Sequence, residues 1–195
     1  MAYLSSAGPR PTSNSTRASN SEATKILPNT LYLTFNAPQV DEYHRGLFLT
    51  YPKSTTSGIL VHAIYVDSKW GLEKRVTKDI SSAKSLVLLY RIHTFDDSTA
   101  SNVDKQFCDI EQVLERVPMG SEVRENKGKK GNPALGGYDC VIWTGDAIRA
   151  LAREGFVDLR GRSVEQIMDE SRSLAGPQDA KTMVGKDFGG LKVVV

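Results

Sequence analysis

The chain has 195 residues, of which 39% are hydrophobic and 25% charged, with a formal net charge of +2 and a pI near 8.5. A chain of this length can bury one good core, and its nearly balanced charge gives no reason to expect nucleic acid or a membrane as a partner. No apolar run approaches a membrane span and no secretory signal opens the chain, so we expect a cytoplasmic protein whose two cysteines are reduced.

The composition divides the chain into an arm, a domain and a tail. Residues 1–28 are rich in Ser, Thr, Asn, Ala and Pro, a bias typical of a disordered segment. Residues 29–175 are predicted to form a single α+β domain. The remaining residues, 176–195, form a tail that ends in a possible edge strand.

The first half of the domain is predicted to consist of strands. Five segments carry the apolar or alternating patterns of strands, at residues 31–35, 45–51, 59–66, 70–77 and 85–95. The turn-forming residues 52–58 join the second and third segments into an antiparallel hairpin. The sequence therefore predicts an antiparallel five-stranded sheet.

Helical patterns follow these strands, which is typical of an α+β architecture with helices packed on the sheet. The first predicted helix begins near Val103 and ends before Pro118, with apolar residues at helical spacing. The second begins at Cys140, with Asp139 as its N-cap, and ends at Gly155. A third, at residues 163–174, opens with the spacing of a capping box.

Cys140 stands at the start of the second predicted helix, where backbone N–H groups and the helix dipole favour the nucleophilic thiolate. His44 and His62 lie upstream in the predicted hairpin, and a symmetrical turn leaves them two or three residues out of register, on one face. A thiol nucleophile needs an imidazole that accepts its proton and a polar group that orients the imidazole. We predict that His44 is the base and that His62 orients it.

Two short motifs resemble a known group of proteins. The strand His44-Arg45-Gly46-Leu47-Phe48-Leu49 resembles the His-Trp-x-hydrophobic strand of the permuted papain-like fold of the lecithin:retinol acyltransferase type, and Asp139-Cys140-Val141-Ile142-Trp143 resembles its Asn-Cys-x-x-aromatic helix start. The chain is also similar to small uncharacterised fungal proteins with a His-Trp strand and an Asn-Cys helix. Over roughly residues 43–155, the resemblance implies acyl transfer or hydrolysis through a thioester on Cys140.

The departures from that pattern narrow the expected substrate. Arg45 replaces the Trp, Asp139 replaces the Asn, and no C-terminal membrane anchor accompanies the motifs. We therefore expect a soluble ester, thioester or amide rather than a membrane lipid. Tyr138 and Trp143 are predicted to shape the substrate pocket, and no cofactor or metal is predicted.

Two other functions stay open. The same cleft could hold a small molecule or partner in a catalytically silent binding or accessory protein. Alternatively, the histidines alone could support a non-acyl reaction of secondary metabolism. A zinc site made by Cys140, His44 and His62 is not favoured, because none of the three lies at a close ligand spacing.

Overall fold

A computed structural model describes residues 25–37, 43–96, 103–120, 137–176 and 191–194. Most of the predicted disordered arm, most of the glycine-rich loop between the first two helices and most of the tail lie outside these residues. The strands and helices, in chain order, are β1 (Thr30–Asn36), β2 (His44–Thr50), β3 (Gly58–Val66), β4 (Lys69–Thr77), a short 3-10 helix (Ile80–Ser82), β5 (Leu86–Thr94), α1 (Val103–Glu115), α2 (Cys140–Arg153), α3 (Val164–Ala175) and β6 (Lys192–Val194). The predicted α+β class is confirmed.

The sheet differs from the predicted one. Its order is β4-β3-β2-β1-β5-β6, and it is mixed, because β6 pairs with β5 in parallel while the other neighbours are antiparallel. The prediction of five antiparallel strands is therefore corrected to six strands. The strand β6 has only three residues and reaches its partner after three intervening helices, so no local turn predicts this pairing.

The two faces of the sheet carry different clusters because side chains alternate along each strand. Leu47, Ile59 and Val61 belong to the large core that the helices cover, whereas Phe48 and Leu60 belong to a smaller cluster on the other face. The helix α2 packs on β2 and β3. Its buried stripe is Trp143, Thr144, Ala147, Ile148 and Leu151, as the helical spacing predicts.

The ends of α2 explain why it begins and ends where it does. The Asp139 carboxylate accepts a hydrogen bond from the backbone N–H of Ile142 at 2.9 Å, which caps one of the free donors of the first turn. Gly155 follows the helix with φ of +79°, a conformation that favours glycine. The N-cap fixes Cys140 as the first residue of the helix.

The turn between β3 and β4 sets the register of that hairpin. Asp67 and Ser68 both adopt positive φ, 50° and 60°, as two-residue hairpin loops of the primed type require. Val66 therefore pairs with Lys69, and the ladder continues until His62 lies opposite Glu73. A short local turn thus places a carboxylate directly across from a candidate site histidine.

Candidate active site

The candidate residues lie around the start of β2. The ladder of β2 with β1 extends back to His44, whereas its ladder with β3 begins only at Leu47, among the described residues. At this opening the backbone N–H of Arg45 donates to Cys140 Sγ at 3.5 Å. The nitrogen of Arg45 is bonded to the carbonyl carbon of His44, so the thiol lies beside the peptide that joins the two residues.

The two histidines are in direct contact. His44 Nε2 lies 2.6 Å from His62 Nδ1, and the rings meet edge to face with their centroids 4.7 Å apart. The register of β2 with β3 places His44 two residues from the position opposite His62, which agrees with the predicted offset. The structure therefore brings together the two side chains that the hairpin argument paired.

Glu73 extends this pair to a third group. Its Oε2 lies 2.5 Å from His62 Nε2, and its side chain is 41% exposed whereas that of His62 is 10% exposed. A continuous chain of contacts therefore runs from the partly buried His44 through His62 to a carboxylate at the surface. We refer to His44, His62 and Glu73 as the histidine relay.

Gly46 makes room for the relay. A Cβ at this position would lie 2.8 Å from the Cβ of His62 and 2.9 Å from the carbonyl oxygen of Val61. Both distances are shorter than ordinary van der Waals contact, so a side chain would push His62 away. The site therefore requires glycine at position 46, because a side chain there would displace His62 from its contact with His44.

Burial keeps both imidazoles neutral near pH 7. The pKa of His44 is lowered to about 4, chiefly by burial and less by the adjacent His62, while the charge of Glu73 opposes the shift. Burial likewise lowers the pKa of His62, although the negative charge of the adjacent Glu73 carboxylate opposes the shift. The relay therefore rests in a form in which His44 has one free ring lone pair.

The electrostatics of Cys140 correct the sequence-based expectation of a thiolate. The pKa of the Cys140 thiol is raised to about 11, chiefly by burial and less by the charge of Asp139, while the hydrogen bond from the Arg45 N–H opposes the shift. The helix start does supply N–H groups, but the loss of water around the sulfur is the larger effect. Cys140 is therefore a neutral thiol at rest.

Cys140 and the relay approach each other from different sides of the sheet. Alternation places His44 and His62 on the face of Phe48 and Leu60, whereas α2 packs on the opposite face. Within the described part of the chain, no hydrogen bond joins Cys140 Sγ to either imidazole. Proton transfer from Cys140 to His44 therefore requires the two side chains to move closer together at the start of β2, before its ladder with β3 begins. Catalytic groups often make such contacts only when substrate binds.

The two predicted pocket residues lie in the core. Trp143 and Tyr138 are both fully buried. The Tyr138 hydroxyl donates to the carbonyl oxygen of Pro118 at 3.2 Å, and its ring meets Trp70 edge to face at 5.1 Å. These contacts hold Tyr138 in the core. A role for either residue in lining a substrate pocket stays a prediction.

The described residues show neither a metal-binding cluster nor a membrane-spanning helix. They contain no group of three or more His, Cys, Asp or Glu side chains placed to hold a metal ion. Over the same ranges, no helix has the length and apolar character needed to cross a bilayer.

Sequence analysis missed two members of the site, Glu73 and Gly46. A usable signal for Glu73 was present, because a two-residue turn at Asp67 and Ser68 places residue 73 opposite His62. The requirement for glycine at position 46 had no such signal, since it depends on how closely β2 and β3 approach each other in space.

The comparisons with known proteins identify a family but no activity. Residues 31–158 match DUF6540, a family of unknown function, and the match contains His44, His62, Glu73 and Cys140. This match covers more than half of the chain, so the chain belongs to that family. No curated protein and no solved structure matches it.

Proposed function

We propose that this member of the family is a cysteine-dependent enzyme that transfers or hydrolyses the acyl group of a soluble ester, thioester or amide. Cys140 is the nucleophile, His44 its base and His62 the group that orients His44. The observation that carries the proposal is the hydrogen bond from the Arg45 N–H to Cys140 Sγ, which holds the thiol beside the first residue of the relay.

The chemistry begins from a neutral thiol and a neutral imidazole. The sulfur attacks the acyl carbonyl carbon while its proton passes to His44, and the leaving alcohol, thiol or amine takes that proton as the thioester forms. Water or a second acceptor then attacks the thioester, with His44 again accepting the proton, and the thiol is restored. The backbone N–H of Cys140 is placed at a helix start, where such a group can donate to the developing oxyanion.

The relay suits this cycle because His44 becomes a cation in the middle of it. A buried imidazolium is unfavourable unless a neighbouring group compensates its charge. His62 contacts His44, and His62 in turn contacts the Glu73 carboxylate, so a negative charge lies at the far end of the chain. The resting pair is neutral, and charge separation occurs only while substrate occupies the site.

The proposal also includes the type of fold, the kind of acyl donor and the location of the protein. The order of two strand histidines followed by a cysteine at a helix start supports a permuted papain-like arrangement. The acyl donor is a small, water-soluble molecule on which the protein acts in the cytoplasm.

A second candidate function is favoured by one observation. The raised pKa of Cys140 is what a buried structural thiol would show, and the histidine relay is complete without the sulfur. In that case the site would bind a ligand without catalysis, or the histidines alone would act on the ligand as bases. The two functions differ in whether a covalent intermediate forms on Cys140.

The experiment is to trap that intermediate. The protein is mixed with soluble N-acetylcysteamine thioesters and p-nitrophenyl esters of different acyl lengths, and its intact mass is followed in the wild type, Cys108→Ala and Cys140→Ala. Cys108 is exposed, so its removal controls for nonspecific acylation of an accessible thiol. We expect a hydroxylamine-sensitive acyl adduct that survives Cys108→Ala and disappears in Cys140→Ala. An adduct confined to Cys108, or none with any probe, contradicts the proposal.

A further inference from the structure

Glu73 occupies a position from which it can control both histidines. It lies opposite His62 in the β3–β4 ladder, and its Oε2 is 2.5 Å from His62 Nε2. Among the described residues, Arg75 also acts on His62, and its charge lowers the pKa of His62 from two residues further along β4. Glu73 is therefore the polar partner at the outer end of the relay.

The donor and acceptor roles along the relay follow from this contact. A carboxylate has no proton to donate, and Glu73 Oε2 lies 2.5 Å from His62 Nε2, although it is not in line with a ring N–H there. Because two lone pairs would repel each other at that distance, we assign the hydrogen of His62 to Nε2. A neutral imidazole has one N–H, which leaves His62 Nδ1 as an acceptor. His44 Nε2 lies 2.6 Å from that acceptor and must be the donor, so the lone pair of His44 is at Nδ1.

We propose that Glu73 is a positioning residue that fixes the tautomers of His62 and His44, so that the basic nitrogen of the site is His44 Nδ1. This inference rests on the proposed function for its catalytic meaning, but the tautomers can be observed whether or not the protein has that activity. Glu73 itself touches no reacting atom; it acts through two rings.

The alternative tautomer shows why a carboxylate is needed here. If His62 carried its hydrogen at Nδ1, that hydrogen would point at His44 Nε2, which would then be the acceptor. His44 would carry its hydrogen at Nδ1 and have no free lone pair on that side. The same heavy-atom distances thus fit two opposite arrangements, and the contact with Glu73 selects one of them.

The direct test is long-range ¹H–¹⁵N NMR of the histidine rings, which reports which ring nitrogens carry hydrogen. It is recorded near pH 7 on the wild type, Glu73→Ala, Glu73→Gln and the control Lys74→Ala. Lys74 is the adjacent β4 residue, but it pairs with Glu111 and Glu115 of α1, on the other face of the sheet. Each variant is checked for folding by its near-UV circular dichroism.

We expect hydrogen at Nε2 of both rings in the wild type and in Lys74→Ala. Glu73→Gln keeps an acceptor oxygen and should keep these tautomers, whereas Glu73→Ala should produce a mixture. Hydrogen at Nδ1 of His62 in the wild type, or unchanged tautomers in Glu73→Ala, would overturn the inference. If Glu73→Ala does not fold, the wild-type spectrum alone decides, because hydrogen at Nδ1 of His62 there contradicts the inference and hydrogen at Nε2 of both rings supports it.

Kinetics separate this inference from the proposed function. If acyl transfer is observed, Glu73→Ala should lower kcat roughly 10- to 100-fold with little change in KM, and Glu73→Gln should recover most of it. If the wild type has the expected tautomers but forms no thioester with any probe, Glu73 has the positioning role and the acyl-transfer function is wrong. If thioester forms at the same rate in Glu73→Ala, the function holds and the role of Glu73 is wrong.

Discussion

His44 and His62 meet diagonally across two neighbouring strands, with 2.6 Å between His44 Nε2 and His62 Nδ1. The residue that the register of β2 with β3 places opposite His62 is instead Gly46, where an added Cβ would lie 2.8 Å from the His62 Cβ. The absence of a side chain at Gly46 is what permits the diagonal contact. The site therefore depends on a glycine as much as on the two rings.

Substitution of this glycine should damage both stability and the relay. Gly46→Ala introduces a clash with His62 and with the backbone of Val61, and overpacking of this kind costs about 1–3 kcal/mol. The free energy of unfolding in urea measures the effect. Gly71→Ala is the matched control, because Gly71 also lies in a strand but has no neighbouring atom within 4 Å of an added Cβ. Equal effects of the two substitutions would contradict the steric argument.

The relay should make the protein less stable in mild acid. The folded pKa of His44 is about 4, below its ordinary value of 6.5, so the unfolded chain binds more protons between these values and stability falls as the pH is lowered through this window. The groups that face His44 and act on its pKa are His62, which lowers it, and Glu73, which raises it. From near pH 7 to near pH 5 the expected loss is about 2 kcal/mol.

Urea unfolding of the wild type and His44→Asn at both pH values isolates this contribution, because the other titrating groups are common to the two proteins. The variant should lose correspondingly less stability on acidification. An equal loss in the two proteins would show that His44 does not resist protonation.

Cys140 should behave as an unreactive thiol in the absence of substrate. Since burial raises its pKa to about 11, its alkylation by iodoacetamide should be slow near pH 7 and rise about tenfold per pH unit without a plateau up to about pH 9. Peptide mapping by mass spectrometry separates it from the exposed Cys108, which serves as the internal reference. A plateau in the Cys140 rate below about pH 8 would reveal a thiolate and contradict the assigned neutral state.

The residue before the cysteine should tune this reactivity. The charge of Asp139 raises the pKa of Cys140, while its carboxylate caps α2 through the Ile142 N–H. Asp139→Asn retains a good N-cap and removes the charge, so we expect alkylation of Cys140 to become a few-fold faster with stability nearly unchanged. Asp139→Ala removes the cap as well and should cost about 1 kcal/mol in urea unfolding. A slower reaction in Asp139→Asn would show that the charge does not oppose the thiolate.

Local patterns were sufficient to predict most of the fold. The alternation of apolar residues predicted β1 to β5 within a few residues, and Asp139 and Gly155 marked the ends of α2. The edge strand β6 was left open in the sequence, because its parallel partner depends on how the chain returns after α3 rather than on a turn.

The candidate site was predictable only in part, for two physical reasons. The offset of His44 and His62 follows from counting residues around a turn, and the same count applied to Asp67 and Ser68 would have found Glu73. The charge state of Cys140 could not be predicted by counting residues around a turn. It depends on how completely neighbouring segments exclude water from the sulfur, and that burial outweighs the N–H groups of the helix start.

The most direct test of the account is whether His44 activates Cys140 towards an acyl donor. In a Cys108→Ala background, the rate of Cys140 acylation by a soluble thioester is measured near pH 7 with His44 intact and with His44→Ala. General-base catalysis predicts a loss of about 100-fold or more in His44→Ala, with the free energy of unfolding at that pH little changed. Equal rates in the two proteins would mean that Cys140 and the histidine relay do not act together, and would contradict the account.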